Sequence, residues 1–464
     1  MTWLIARREI VANFYSLRFF LSISLAVLVF GVSSLCFYSQ YNQELSDYSR
    51  NIAREEERAA AQADNLGRLA LHDRLLYPRP RSNSFLYQAM ERYLPNLFEY
   101  DAFQIVEFRN REGGGNPFFP RAEELDWLFI ISLVLSFGAV VFTYNSISGE
   151  KEQGTLGLQL ANNIPRPAFL LGKYLGAMVS LLIPLVTGIV VSLLVLLFSG
   201  KVGFDSRLWL EVLTFLGISV LFLSSFVLLG LFVSSLTHSP ATSLVLLLFL
   251  WVILALLIPN IGGILASDLQ PIPKQEEVME RASRVRSDIA DSAPEGTWDR
   301  EEQNPFRPSH RLRAQTLNKM LEAELRIRRD YYNRMFHQLE FARHLTRISP
   351  VALYKYSSEA VVGGGVLRFR ELMRGLESFR QVLLEFVTRQ DASDPDSPHW
   401  INPEEDLFFT RKPVDYRIVP KFEEGSARLS RRLTEVTLDL GLLILFNLLF
   451  FWLAFVAFLR YDVR

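Results

Sequence analysis

Hydrophobic and polar positions alternate along this chain in long blocks rather than short ones. Six blocks are apolar for about 20 residues, the length that carries a helix across a bilayer core at 1.5 Å per residue. They run from Phe19 to Tyr38, Trp127 to Tyr144, Tyr174 to Phe198, Leu208 to Leu236, Ala241 to Ile258 and Leu440 to Leu459. The pattern therefore predicts an all-α polytopic membrane protein with six transmembrane helices. The first block follows Arg7 and Arg8, as a signal peptide would. It is longer than a signal core and no A-x-A-like site follows it, so it reads as an uncleaved anchor. Pro184 and Gly188 sit inside the third block, where a bend or a tolerated kink is expected.

Two polar blocks, residues 39–126 and 260–435, separate the first span from the second and the fifth from the sixth. Both read as mainly helical. From His310 to Leu345 there is no Pro or Gly, and Ala314, Leu317, Leu321, Leu325, Tyr332, Met335, Leu339 and Ala342 form one apolar stripe. Gln43 to Leu76 and Val366 to Arg389 are expected to be further helices. Each stripe needs a partner face, so the two blocks should pack into one domain. Gly113–Gly115 and Gly363–Gly365 read as turns, because no Lys-Ser or Lys-Thr follows either.

Charge gives the orientation. Arg7, Arg8 and Arg18 place the N-terminal segment, 1–18, in the cytoplasm. Lys151, Arg166 and Lys173 place the 146–173 connector there too, and Arg460 and Arg464 do so for the 461–464 tail. Lys201 and Arg207, in a short outside loop, count against this assignment. The remaining divisions are 19–38, 127–145, 174–259 and 436–460 for the membrane, and 39–126 and 260–435 for the periplasm. Net charge is −1, so no basic field argues for nucleic acid. The single cysteine, Cys36, excludes an internal disulfide. A lipoprotein signal would need a small residue where Leu35 stands. None of the six histidines forms H-E-x-x-H; His337 and His344 share a charged helix face and read as solvated. No G-x-S-x-G occurs. Spans two to five hold no acidic group at mid-depth, which argues against an ion-coupled carrier. Asp439 edges the last span, and Asn447 is its strong polar group near mid-depth.

The connector is the most informative stretch. It reads Ser146-Ile-Ser-Gly-Glu-Lys-Glu-Gln-Gly-Thr-Leu-Gly-Leu-Gln-Leu160, then Asn162-Asn163-Ile-Pro-Arg-Pro167 and Leu171-Gly-Lys173. Glu150 and Glu152 suit the positive end of a short helix. Leu156, Leu158 and Leu160 follow, and Asn162, Asn163 and Pro165 end it. An ordinary interfacial loop has the same pattern as a short amphipathic helix built to receive a push from a partner.

Ser148-Gly-Glu-Lys-Glu-Gln-Gly-Thr-Leu156, Asn163-Ile-Pro-Arg-Pro167 and Leu171-Gly-Lys173 together resemble the signature of ABC-2 type transporter permeases. The resemblance places that signature between the second and third spans, as here. Residues 3–15 are similar to the amphipathic helix that often opens such subunits. Ile348-Ser349-Pro350 followed by Gly363–Gly365 resembles the bacterial branch with a large periplasmic insertion before the last span. The resemblance implies a multi-pass inner-membrane permease with both termini cytoplasmic. It would export a substrate while a separate ABC ATPase dimer hydrolyses ATP with Mg. It implies a second permease subunit, itself or a sister, and no catalytic, cofactor or metal residue in this chain. The residues it would place against the ATPase are Glu150, Lys151, Glu152, Gly154, Thr155, Leu156, Leu158 and Leu160, with Arg166, Gly172 and Lys173 closing the connector. The lack of a phosphate loop agrees: five positions before Gly172 stands Pro167 instead of Gly. In lipid, Gly217, Ser224 and Ser225 of span four are small enough to form a subunit contact. Two other readings stay open: a subunit that drives its periplasmic domain without moving a solute, and a membrane-bound enzyme.

Overall fold

Helix bounds here follow from where apolar runs meet capping residues. The computed structural model describes residues 1–88, 97–108, 125–161, 164–299, 306, 308–425 and 427–460. The expected turn at Gly113–Gly115, the stop at Asn162-Asn163 and the 461–464 tail with Arg464 lie outside the described residues. Six stretches are long and apolar enough to cross a membrane: Leu17–Ala61, Trp127–Glu152, Arg166–Ser199, Ser206–Leu236, Pro240–Leu269 and Thr437–Leu459. The fold is an all-α, multi-pass membrane bundle.

The bundle has a connector end, where residues 146–173 lie, and a far end, which carries the large domain. Helix α1 (Thr2–Phe14) precedes α2 (Leu17–Ala61), with Ser16 capping the latter. At 1.5 Å per residue α2 is roughly 68 Å long, so its second half extends beyond the bilayer. Span two is α4 (Trp127–Phe129), a π-helical stretch and α5 (Ser136–Thr143). Span three is α8 (Arg166–Ser199), and α6 (Ser148–Glu152) and α7 (Thr155–Ala161) form the connector before it. Spans four to six are α9 (Ser206–Leu236), α10 to α11 (Pro240–Trp251 and Ile258–Leu269, with a π-helical stretch between) and α17 (Thr437–Leu459).

Small residues at four-residue steps of α8, interrupted by Pro184, position the first two helices. Gly172, Gly176, Ser180, Gly188 and Ser192 follow one ridge that winds slowly round the helix, so its first half meets α1 and its second half α2. A Cβ at Gly172 would strike Ile5, and one at Gly176 would strike Glu9. Asn13 Nδ2 donates to Ser180 Oγ at 3.0 Å. Further along, a Cβ at Gly188 would strike the Phe30 ring, and the Ser34 and Ser192 hydroxyls meet. So α1 and then α2 run parallel to α8 in close register. α8 stays one continuous helix through Pro184, and Gly188 serves close packing. Ser224 and Ser225 are buried inside this chain, Ser224 hydrogen-bonded to Tyr174 Oη at 2.8 Å. The expectation that they contact a second subunit is therefore corrected; of that trio Gly217 alone faces open space.

Beyond the far end, the two polar blocks share a core. Leu66, Leu69, Phe98 and Phe103 of the first pack with Tyr332, Phe369, Leu376 and Leu383 of the second. The helices predicted from His310 and Val366 are present as α13 (Pro308–Thr346) and α15 (Gly365–Ala392); α12 (Gln275–Asp291) precedes them. The helix expected over Gln43 to Leu76 is corrected. α2 ends at Ala61, Asn65 caps α3 (Leu66–Leu71), and β1 (Arg74–Leu76) follows. β1 pairs antiparallel with β2 (Leu97–Tyr100), which pairs with β3 (Ile105–Phe108). The strands form because alternate residues, Phe98 and Tyr100, face the shared core while their neighbours do not.

Helix α14 (Pro350–Val362) joins the two regions. Ser349 caps it, and Gly363 ends it at φ 66°. Val351, Leu353, Tyr354, Val361 and Val362 are all buried in the bundle's own core. Tyr354 stacks on Phe222 of α9 at 4.5 Å and hydrogen-bonds Ser219 at 2.7 Å. Asn447 Nδ2 of α17 donates to the Leu221 carbonyl of α9 at 3.1 Å.

Candidate functional site

The connector is a pair of short helices, not the single one expected. Gly154 adopts φ 66°, a conformation that L side chains rarely take, and turns the chain between α6 and α7. Glu150 lies in the first turn of α6 and Glu152 in its last. A tight polar turn at Tyr144–Ile147 links span two to α6. There Ser234 of α9 accepts hydrogen bonds from the Ile147 and Ser148 N–H groups, both at 3.0 Å, and donates to the Tyr144 carbonyl at 3.0 Å. These are orphan donors at a helix start, and one hydroxyl satisfies two of them.

Lys151 reaches the other way, donating to the Ser235 carbonyl and, at 3.1 Å, to the Thr237 carbonyl. Both carbonyls close the C-terminus of α9, where a cation is favoured. Arg166 does the same for the last span, donating to the Leu459 carbonyl at 2.6 Å. The connector is thus tied to two different spans by cations on carbonyl ends.

Lys173 is the least expected member. It is 3% exposed, and its Nζ donates to Glu9 Oε1 and Glu150 Oε1, each at 2.6 Å. One lysine therefore joins α1, the connector and α8. Gly172 and Gly176 let α1 come close enough for this, since a side chain at either would collide with it.

The leucine series divides. Leu156 is fully buried in the bundle core, whereas Leu158 is 72% exposed. Residues two apart on a helix point about 200° apart, so they cannot share a docking face. Nothing is described of the Leu160 side chain, although its position is helical. Glu152, Gln153, Gly154 and Leu158 form the outward surface; Thr155 is partly buried, its hydroxyl donating to the Glu150 carbonyl.

Sequence reasoning passed over Glu9, Ser234 and Ser235. The first had a signal: Ala6, Glu9 and Asn13 share one face of α1, opposite the four-residue spacing of Gly172, Gly176 and Ser180. Among the described residues, no group of three or more His, Cys, Asp or Glu side chains is placed to hold a metal ion.

A comparison with curated proteins finds no match. The family model described as ABC-2 family transporter protein matches residues 3–463, which takes in α1, all six spans, the connector and the far domain. With that match over nearly its whole length, the chain belongs to the ABC-2 transporter family.

Proposed function

We propose that this chain is the permease subunit of an ABC transporter that exports a substrate across the bacterial inner membrane. A partner ABC ATPase dimer, carrying ATP and Mg, docks on the outward surface of the connector. Family membership supports an ABC ATPase partner in general terms. In this reading the connector and both termini face the cytoplasm, the far domain faces the periplasm, and a second permease copy or sister completes the unit.

One observation carries the proposal: the connector presents Glu152, Gln153 and Leu158 outward while Ser234, Lys151 and Lys173 fasten it to α9, α8 and α1. A push on so tightly held a segment moves helices rather than slack chain. A second reading, motion delivered to the far domain without a moved solute, is favoured by α14. That helix belongs by sequence to the large outer block yet is buried among the spans.

The test uses Leu158→Asp. Leu156→Asp would bury a charge in the permease itself and report on folding. Leu158→Asp leaves the fold intact and puts a charge where the ATPase would cover it. Burying an unpaired charge at an interface costs several kcal/mol, or roughly a thousandfold in affinity. The ATPase should be lost from the purified complex. If it is retained and hydrolyses ATP normally in nanodiscs, the connector is not its docking element.

A further inference from the structure

Span five differs from the others in how little of it the chain itself covers: 17% of its apolar length is buried, against 28–72% elsewhere. Its outer part is α11, and polar groups around it mark the outer edge of the bilayer. Asp126 caps span two, and Asp439 lies in the first turn of span six. From Asp126 to Asn145, which meets Arg18 at the connector end, the helix rises roughly 28 Å, the depth of a hydrocarbon core. Arg343 of α13 binds Asp439 at 2.7 Å. On the same stretch of α13, Thr346 and the Ala342 carbonyl are what a Cβ on Gly262 would meet. Gly262 is therefore level with Asp439. Leu269 stands roughly 10 Å further out, past a headgroup layer about 5–8 Å deep. It is 63% exposed, as is Ile264.

Gly262 and Ala266 are the buried residues of α11; Asn260, Gly263, Ile264 and Ser267, at three- and four-residue steps, are exposed. A Cβ on Gly263 would meet nothing within 4 Å, and small residues let helices approach closely in lipid. Asn260 Nδ2 donates to the Leu256 carbonyl of its own helix at 2.7 Å, while its Oδ1 has no donor among the described residues. From Ile258 to Ser267 no residue is charged. A twofold contact sets each residue against its own copy, so an uncharged face is the kind that suits it. Eight large apolar side chains between Phe249 and Leu269 are 37–63% exposed. At about 150–250 Å² for a whole large side chain they offer roughly 800 Å², the share that each partner brings to a stable interface. Within the core lipid covers such a surface as well as protein does; around Leu269 only another protein surface removes it from water.

We infer that the exposed face of α11 receives the α11 of a second copy of this chain, the two helices crossing at Gly263 about a twofold axis normal to the membrane. Asn260 then meets Asn260, and each Oδ1 accepts from the other's Nδ2. Ile264 and Leu269 of the two copies cover one another beyond the bilayer. This rests on the permease reading, which asks for a copy or a sister, and it chooses the copy.

The experiment co-expresses two differently tagged full-length copies, both Cys36→Ser and Gly263→Cys, and oxidises them in the native membrane. The two tags should cross-link. Leu213→Cys, on span four and 62% exposed, should not. Adding Asn260→Leu should lower the Gly263→Cys cross-link about three- to thirtyfold, the usual range for one interhelical side-chain hydrogen bond in a membrane. Gly263→Trp has room in the single chain and should lower the dimer fraction seen by native mass spectrometry. No cross-link at Gly263→Cys would overturn the inference and leave this face to lipid. A cross-link as strong at Leu213→Cys, or one to a different chain in place of a second copy, would overturn it too. So would unchanged pairing in both Asn260→Leu and Gly263→Trp. Co-purification of an ATPase from the same membranes tests the permease reading separately. An ATPase retained without the cross-link would remove this surface and leave that reading; the cross-link without any ATPase would do the reverse.

Discussion

Replacing Lys173 with Met should release α1 from the bundle. The Nζ lies between two carboxylates, each at 2.6 Å, on two other helices. Without it, Glu9 and Glu150 remain as unneutralised neighbours, and Glu150 Oε2 already lacks a hydrogen-bond partner among the described residues. Removing one member of a buried ion pair costs about 3–5 kcal/mol. The Glu9 and Glu150 side chains keep 18% and 13% exposure, so some hydration survives. That lowers the expectation to about 2–3 kcal/mol, a roughly 30- to 150-fold rise in chains with α1 detached. Ala6, fully buried against α8, reports the detachment. In a Cys36→Ser background, Ala6→Cys should react with a maleimide only while α1 is lifted. Lys173→Met should speed that labelling by the same factor. Glu9→Gln and Glu150→Gln added to Lys173→Met should restore most of the protection, since no buried charge is then left unpaired. Unchanged labelling in Lys173→Met would show that the ion pair does not hold α1.

Two further outcomes follow from packing and titration. Gly188→Ala drives a Cβ into the Phe30 ring and should cost about 1–3 kcal/mol by overpacking, whereas Gly217→Ala meets open space and should stay within about 0.5 kcal/mol, both read from thermal unfolding in detergent. In the far domain, burial raises the Asp101 carboxyl from 3.8 to about 6, against hydrogen bonds from the Phe103 and Gln104 N–H groups. A raised folded value means that this group's contribution is complete below pH 3.8 and lost as pH rises through about 6. Asp101→Asn should flatten that part of the stability profile between pH 4 and 6, and an unaltered slope would refute the assignment.

How much was legible depended on range. Each span is an unbroken apolar run, so the six were readable without knowledge of their neighbours. α13 was equally local, marked by its apolar stripe; α14 carried a local signal too, Ser349-Pro350 being a cap followed by a proline at the first helical position, but no helix was predicted there. The sheet was not legible, because strands of three and four residues carry too little alternation and are held by distant partners such as Phe369. The Lys173 cluster was hidden for the same reason, its two carboxylates lying 164 and 23 positions away. The opposed directions of Leu156 and Leu158 were available from helical geometry alone, and treating them as one face overlooked it.

The arrangement of α9 explains how the two ends of the molecule can act on each other. At the connector end, Ser234 holds the start of α6 and the carbonyls of Ser235 and Thr237 receive Lys151. Near its other end Glu211, 3% exposed, binds Arg432 of α16 (Leu429–Glu435) and accepts from Asn83 Nδ2 at 2.7 Å. Arg432 and Asn83 in turn donate to the Val361 and Val362 carbonyls at the C-terminus of α14, at 2.8 and 2.9 Å. Those carbonyls are the orphan acceptors of a helix end, and a cation there is favoured by the helix dipole as well. Residues 211 and 234 stand roughly 35 Å apart on one continuous helix at 1.5 Å per residue. In the permease reading proposed above, displacing the connector would displace a rod whose other end grips α14, with no flexible joint between them. Such a rod transmits a tilt more readily than a stretch, because its hydrogen-bonded length is fixed while its crossing with α17 and α14 rests on side chains. Tyr354 stacked on Phe222 and Asn447 on the Leu221 carbonyl sit between the two grips, where such a tilt would pivot.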